Sequence, residues 1–421
     1  MDRIILHADV NNFYASVAMC VNPELKGKAL IVCGDPEKRH GIVLAKSNLA
    51  KQYGIKTGDT LNEAKRKAPD LIVVPPDYKQ YMKYSNLIYN IYVQYTPYVE
   101  SFGLDECWLD VTGCEKQYGS GENLANVIRE RIKNELGLTV SIGVSFTKVF
   151  AKLGSDLKKP DAVTVISRDN YKGMIWPLKV DEMLFIGKSM KQQLARIDVE
   201  TIGELATLPI DSCINMFGKV GEKLHAAANG IENDPVKPYN YNELPESVSN
   251  GSTTEKDICD THSAAVLIYS LSEIIAFRLR QYGLIAGGVS LTVRDNKLSA
   301  FTRQEKLITY TASAQEIAET ALNILKRNYS FTEKPPLRMI TVGTYKLIRK
   351  DEYAQASLFD DENTKNTKID ERIDKLRTRY GYDIVKRGIV LNDSYACDAK
   401  EVKDGYLPFD KTKNVTDDNN K

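Results

Sequence analysis

The N-terminal part of the chain combines short apolar runs with amphipathic stretches, a pattern typical of a mixed α and β domain. The runs "RIILHADV" and "TVSIGVS" are short and rich in β-branched residues, which favours strands. The stretches "FYASVAMCV" and "ENLANVIRERIKNELG" carry apolar residues three and four positions apart, which favours helices. We therefore predict an α+β sheet with helices on one face for residues up to about 167.

From about residue 168 the pattern changes to short helices separated by glycine turns. Two segments in tandem, one before and one after residue 209, are predicted to form helix-hairpin-helix elements. Glycine turns and helix N-termini offer backbone amides to DNA phosphates without reading base sequence. The alternative is a pair of ordinary αα-hairpins. The candidate DNA-contacting residues are Gly187, Lys188, Gly218, Lys219 and Gly221.

A proline-containing stretch, residues 237–246, predicts an extended linker. The pattern of residues 247–350 is helix, strand, helix, strand, which predicts a separate small α+β domain. Beyond residue 350, the stretch "TKIDERIDKLRTRYG" is expected to include one helix, whereas the polar end of the chain is expected to be disordered.

The charge of the whole chain is nearly balanced, but its distribution along the sequence is uneven. The 421 residues carry a formal net charge of +1, but residues 247–350 hold 14 Lys and Arg against nine Asp and Glu. The seven cysteines form no CxxC pair, which argues against a zinc site or a disulfide framework. No stretch is expected to approach the length of a membrane span, so we predict a cytoplasmic protein with no membrane contact.

Two adjacent carboxylates interrupt the strand-like stretch "SFGLDECWLDV", residues 101–111. Neighbouring side chains of a strand point to opposite faces, so one of Asp105 and Glu106 would point inward unless both lie at a hairpin tip. Gly103 supplies the turn signal for such a hairpin. Repulsion between the two acids then favours a raised pKa or a bound cation, although two solvated turn residues would give the same sequence.

A third acid, Asp9, follows the first predicted strand. Together with Asp105 and Glu106 it would suit two Mg²⁺ ions of the kind used for displacement at phosphorus, with the Val10 carbonyl as a further hard ligand. The sequence alone does not place Asp9 beside the hairpin.

Cations for a triphosphate are available in "TKVFAKLGSDLKKPD", residues 147–161. Lys148 and Lys152 share a helix face, and Lys159 lies at the end of the helix, where its side chain could reach a cleft. A solvated basic helix is the alternative.

Three segments, "HADVNNFYASV", "SFGLDECWLDV" and "GVSFTKVFAKLGSDLKKPD", together resemble the Y-family translesion DNA polymerases, the DinB and UmuC relatives. The resemblance covers roughly residues 1–350. It implies a right-hand polymerase core with a palm (1–11 and 79–167), small fingers (12–78) and a thumb with helix-hairpin-helix motifs (168–236). The linker (237–246), an α+β little finger domain (247–350) and a C-terminal tail (351–421) would follow.

The resemblance also implies roles for individual residues. The metal-binding acids are Asp9, Asp105 and Glu106 with the Val10 carbonyl, for two Mg²⁺ ions that Mn²⁺ could replace. The residues expected at the dNTP are Phe13, Tyr14, Lys51 and Lys159, with Tyr14 as the steric gate against a ribose 2′-hydroxyl.

The sequence departs from the family pattern at two places. Asn11 stands where many relatives have a second acid. Asn48 and Lys51 stand where the fingers motif has Tyr and Arg. Lys51 keeps the positive charge of Arg but not its bidentate hydrogen bonding, and we predict no phosphate contact for Asn48.

The stretch "QASLF" resembles the peptide by which bacterial polymerases bind the sliding clamp. Gln355 and Ser357 accompany two apolar anchors, Leu358 and Phe359, in an otherwise polar and acidic region. Local packing of these anchors is the alternative.

The predicted function is low-fidelity, template-directed DNA synthesis in translesion synthesis, by a monomer that binds primer-template DNA, dNTP and the clamp. One alternative is a nucleotide cyclase, which would also use a carboxylate hairpin and two metal ions but does not need to bind primer-template DNA. A non-catalytic DNA-binding scaffold would not need the three acids.

Overall fold

The computed structural model describes residues 2–35, 41–241, 244–352, 360–381, 384–391 and 394–395, and for residues 360–367 it describes the backbone alone. The described chain forms two compact units, and the boundary between them falls after Tyr241. We call them the N-terminal unit and the C-terminal unit and describe each separately.

The N-terminal unit alternates strands and helices up to residue 165 and is helical beyond. Its strands are β1 (Ile5–Val10), β2 (Leu30–Cys33), β3 (Val43–Lys46), β4 (Ile72–Val74), β5 (Val99–Ser101), β6 (Glu106–Asp110), β7 (Val140–Ser145) and β8 (Val163–Val165). Its helices are α1 (Phe13–Val21), α2 (Asn48–Gln52), α3 (Leu61–Lys67), α4 (Tyr78–Tyr92), α5 (Glu115–Tyr118), α6 (Gly121–Leu136), α7 (Lys148–Leu157), α8 (Tyr171–Ile175), α9 (Lys188–Ala195), α10 (Ile202–Thr207) and α11 (Ile210–Ala228).

The central sheet has the strand order β5-β6-β1-β7-β8, with β1 antiparallel to both of its neighbours. Every residue of β1 is buried, because helices cover both faces of the sheet. Leu6, Ala8 and Val10 belong to the core cluster that includes α4 and α6, whereas Ile5 packs with Ala151 of α7. The expectation of helices on one face only is therefore wrong.

A second, three-stranded sheet with the order β3-β2-β4 lies between α1 and α4 in the sequence. It has its own small core, which includes Ile31, Val43 and Ile55. This small subdomain occupies the region expected to form the fingers.

The helical region after residue 165 differs in part from the prediction. The first predicted helix-hairpin-helix element was expected to begin with a hydrophobic helix at "DEMLF", residues 181–185. This stretch overlaps only a 3-10 turn, Val180–Glu182. Within α11 the helix is interrupted at Gly218, whose φ of 61° and ψ of −146° are not helical, so α11 consists of two helical segments. Part of the predicted linker belongs to the N-terminal unit, since Tyr239 N–H donates to the Pro97 carbonyl at 2.8 Å.

The C-terminal unit is a four-stranded antiparallel sheet with the order β11-β10-β12-β9, packed against helices. Its elements are β9 (Ser247–Ile258), α12 (Thr261–Gln281), β10 (Leu284–Asp295), β11 (Ala300–Thr311), α13 (Ala314–Asn328), β12 (Leu337–Arg349) and α14 (Asp360–Tyr380). The predicted pattern missed β9 and β11, because both strands are largely polar and exposed.

One helix in the described part of the chain, α12, is long and apolar enough to cross a membrane, and 72 % of its apolar window is buried within the protein. The expectation that no stretch approaches this length is therefore wrong. The physical reason is that α12 is the core helix of the C-terminal unit, with apolar residues on most of its circumference.

Candidate active site

The register between β1 and β6 brings two of the three predicted acids together. Asp9 is paired with Glu106, and two residues earlier His7 is paired with Trp108. Directly opposed residues of an antiparallel pair point to the same face of the sheet. The Asp9 and Glu106 side chains therefore share the face that α7 covers.

The third acid lies in the predicted hairpin. Strands β5 and β6 are antiparallel, and Gly103 has a φ of 92° in the turn between them. The Asp105 carbonyl accepts a hydrogen bond of 3.0 Å from Val10 N–H, so the hairpin is joined to the end of β1 at this point. The chain thus places Asp9, Asp105 and Glu106 together where β1 ends and β6 begins, at one end of the central sheet.

Two lysines from the α7 region reach these acids. Lys159 Nζ lies 2.8 Å from Asp9 Oδ2, and Lys152 Nζ forms an ion pair with Glu106. Lys148, one turn before Lys152, is buried and instead pairs with Glu100 at 2.8 Å. Both ammonium groups therefore already contact carboxylates, as that of Lys159 does, and the cations for a triphosphate on this segment stay a prediction.

The acids differ strongly in their electrostatic surroundings. Burial, together with repulsion from Asp9 and Glu106, raises the pKa of Asp105 to about 6. Burial also opposes ionisation of Glu106, but the adjacent His7 and Lys152 outweigh it and lower the pKa of Glu106 to about 2. The three acids outnumber the two lysines that contact them, Lys152 and Lys159, so the site has an excess of negative charge that favours binding of a cation.

The donor set fits Mg²⁺ in its chemistry, because carboxylate and carbonyl oxygens are the ligands that this ion takes. Among the described residues no three His, Cys, Asp or Glu side chains are already arranged as a metal-ligand set. Lys159 and Lys152 instead occupy oxygens of Asp9 and Glu106. The acids share a strand end, but a divalent ion would have to compete with lysine for them.

The predicted gate, Tyr14, belongs to a cluster of aromatic rings. Its ring stacks on that of Tyr81 with centroids 4.3 Å apart and lies 6.1 Å from that of Tyr78. Burial raises the pKa of the Tyr14 hydroxyl to about 12, so this group stays protonated at neutral pH. Phe13 is buried in the core, and its ring packs against that of Tyr81 in the same cluster.

The predicted fingers residues lie on α2. Asn48 accepts a hydrogen bond of 2.8 Å from Asn12, in the turn after Asp9, so its side chain links α2 to that turn. Lys51 is exposed. Lys46, which sequence reasoning did not select, has its pKa lowered by burial and by the charge of Lys51, so two cations lie near each other here.

Sequence reasoning missed His7, and it noted Asn11 only as a departure from the family pattern. His7 is fully buried, with Nδ1 2.8 Å from Ser155 Oγ and Nε2 3.2 Å from Glu106 Oε2. Asn11 donates to Ser141 and accepts from Asp161 N–H, which fixes the end of β1 to the segment that carries Lys159. No short motif marks His7, since its partner lies 148 residues away.

The predicted thumb residues have different surroundings. Gly187 is the N-cap of α9, with open space where a Cβ would be. Gly221 is buried, and a Cβ there would lie 2.2 Å from the Cys213 carbonyl oxygen. Gly221 therefore permits close packing of the two segments of α11, while Lys188 and Lys219 are exposed.

The predicted clamp peptide, Gln355 to Phe359, lies outside the described residues. It falls between Glu352, at the end of a 3-10 turn after β12, and the start of α14.

The fold is that of a known class of enzyme. A solved chimeric Y-family DNA polymerase superposes with a TM-score of 0.73 and 22 % identity, covering 82 % of this chain and 99 % of that one. The predicted architecture, a polymerase core followed by a little finger domain, is thereby confirmed.

Sequence comparison defines the family. A model described as the impB/mucB/samB family matches residues 8–156, and its C-terminal domain model matches residues 245–358. The DNA polymerase IV of Acetivibrio thermocellus is 45 % identical over 93 % of this chain and 98 % of its own length. That of Clostridium kluyveri is 34 % identical over 94 % of this chain and 100 % of its own length. The chain therefore belongs to the impB/mucB/samB family, and the predicted resemblance is confirmed.

Proposed function

We propose that this protein is a template-directed DNA polymerase of low fidelity that acts in translesion synthesis. A primer 3′-hydroxyl would attack the α-phosphate of a bound dNTP, and pyrophosphate would leave. Two observations support this activity: the similar curated proteins are named DNA polymerase IV, and the chain belongs to the impB/mucB/samB family.

The observation that carries the proposal is the register of β1 and β6. It sets Asp9 opposite Glu106, at the strand end that receives Asp105. Burial, together with repulsion from the other two acids, raises the pKa of Asp105 to about 6. Such an arrangement has little structural benefit, so the placement of these acids favours a role in cation binding.

Asp9, Asp105, Glu106 and the Val10 carbonyl would hold two Mg²⁺ ions, or Mn²⁺ in their place. When bound, these ions lower the pKa of the primer hydroxyl and neutralise charge on the phosphates. Lys159 and Lys51 would bind the β- and γ-phosphates, with Phe13 and Tyr14 beside the sugar. The Tyr14 ring, held by its stacking on Tyr81, would exclude a 2′-hydroxyl.

DNA binding would use exposed cations and backbone amides. In the thumb region the candidates are Gly187, Lys188, Gly218, Lys219 and Gly221, although packing already explains Gly221. The excess of Lys and Arg in residues 247–350 would contact the duplex backbone without sequence preference, so binding would weaken with salt.

Residues 355–359 would dock on a bacterial sliding clamp, with Leu358 and Phe359 as anchors. We expect the protein to work in the cytoplasm, where the DNA of its bacterial relatives lies, and to work there as a monomer.

Primer extension tests the proposal. Purified protein with primer-template, Mg²⁺ and dNTPs should extend the primer, and Asp105→Asn should abolish extension while leaving DNA binding in place. A cyclic nucleotide formed without DNA would favour the cyclase instead. DNA binding with neither product would favour the scaffold.

A further inference from the structure

A fourth acid, Asp156, contacts the two lysines of the candidate active site. Its Oδ1 lies 2.8 Å from Lys159 Nζ, and its Oδ2 lies 4.0 Å from Lys152 Nζ. The same Lys159 ammonium lies 2.8 Å from Asp9 Oδ2. Acids and lysines therefore alternate across the site, and Lys159 is shared between a buried candidate metal ligand and a more exposed acid.

The position of Asp156 is not one that helix stability favours. It lies in the last turn of α7, where the helix dipole disfavours a negative side chain. Its side chain is 49 % exposed, so hydration alone could satisfy it. Its pairs with Lys152 and Lys159 have ordinary helical spacing. What distinguishes Asp156 from other surface acids is that Lys159 also contacts the buried Asp9.

Lys159 and a divalent ion would compete for the same carboxylate. An ion on Asp9 repels the ammonium group at close range, so Lys159 must give up its contact with Asp9. Because Asp156 already accepts from Lys159, the lysine can leave Asp9 without losing every carboxylate partner. Its ammonium then stays within the site, with donors free for phosphate oxygens.

We propose that Asp156 is a positioning residue, which retains Lys159 when a divalent ion takes Asp9. This inference rests on the proposed function, because it assumes that Asp9 binds a divalent ion. Asp156 touches neither the metal nor the reacting atoms in this scheme and acts through Lys159.

Mn²⁺ titration of the full chain, followed by electron paramagnetic resonance without DNA or dNTP, tests the proposal. Lys159→Met should bind Mn²⁺ more tightly than the wild type, because the competing ammonium is gone. Asp156→Asn should bind it roughly two- to five-fold more weakly, the range expected for one exposed ion pair. Asp156→Glu should restore most of the affinity.

The double variant separates positioning from a general effect of charge. If Asp156 acts through Lys159, Asp156→Asn should have little effect in the Lys159→Met background. An equal loss in both backgrounds, or unchanged affinity in Asp156→Asn, would overturn the inference. Asp181→Asn is the matched control, because Asp181 pairs with Lys191 at 2.7 Å elsewhere in the same unit.

The test also distinguishes this inference from the proposed function. A wild-type chain that binds no Mn²⁺ would overturn both the metal site and the role of Asp156. A wild-type chain that binds Mn²⁺ and extends a primer, with Asp156→Asn unchanged, would overturn the role of Asp156 alone.

Discussion

Asp105→Asn should stabilise the metal-free protein at neutral and alkaline pH while it removes activity. The substitution keeps the shape of the side chain and removes a charge that burial disfavours most and that Asp9 and Glu106 also repel. A pKa of about 6 in the folded chain against the ordinary 3.8 corresponds to about 3 kcal/mol. This is the largest gain expected from the substitution.

The sign of the pH dependence follows from the direction of the pKa change. Because the folded-state pKa of Asp105 is raised, the wild type loses stability as pH rises from about 4 to above about 6. The variant has no such loss. The two proteins should therefore be equally stable near pH 4 and differ by up to about 3 kcal/mol near pH 8.

Tryptophan fluorescence during urea unfolding, with a chelator present, measures this difference. The two tryptophans of the chain, Trp108 and Trp176, both lie in the N-terminal unit, so the signal reports unfolding of the unit that holds the acids. Adding Mg²⁺ at pH 8 should stabilise the wild type more than the variant.

A substitution at an exposed acid provides the control. Asp70→Asn changes the same charge in an exposed position and should leave the midpoint nearly unchanged at every pH. An Asp105→Asn variant that is no more stable than the wild type at pH 8, or is equally stabilised at pH 4 and pH 8, would refute the reasoning.

Three further predictions concern the gate, the clamp and the C-terminal helix. Tyr14→Ala should increase ribonucleotide incorporation at unchanged DNA affinity, and unchanged sugar selectivity would remove the gate assignment. Replacing Leu358 and Phe359 with Ala should abolish clamp stimulation but not basal extension; stimulation that persists would disprove docking. Glu273→Gln should destabilise the packing of α14 by about 3 kcal/mol, because the buried Glu273 carboxylate pairs with Arg377 at 2.9 Å. Hydrogen exchange of residues 368–381 should then accelerate, and unchanged protection would contradict this.

Much of the N-terminal fold could be predicted because its strands are buried and apolar. Strand β1 is buried along its whole length, and the Gly103 turn between two strand-like runs marks the hairpin. Strands β9 and β11 escaped prediction because exposed faces leave them polar. In such strands the period-two pattern is weak and pairing with β12 and β10 decides the structure.

The candidate site was only partly predictable, because long-range register and burial decide it. Helical spacing treats Lys148 and Lys152 as equivalent, yet the fold buries one against Glu100 and directs the other to Glu106. The sequence likewise cannot show that Asp156 shares a lysine with Asp9. That contact depends on how the end of α7 meets the end of β1.

The C-terminal helix shows the same limit. The pattern of this segment predicts one helix, but it does not predict which residues the helix packs against. Asp374 pairs with Arg280 of α12, and Asp370 accepts from the backbone N–H of Ala314 at the start of α13. Such partners lie 56 to 94 residues apart in the sequence and leave no local signal.

The number of Mn²⁺ ions bound in a ternary complex tests the central claim most directly. The complex would contain the protein, a primer-template with a dideoxy-terminated primer and the matching dNTP, so that binding is measured without turnover. Two ions should bind to the wild type, and both Asp9→Asn and Asp105→Asn should lose at least one of them. Full occupancy in both variants, or no ion in the wild type, would contradict the assignment of these acids as the metal site.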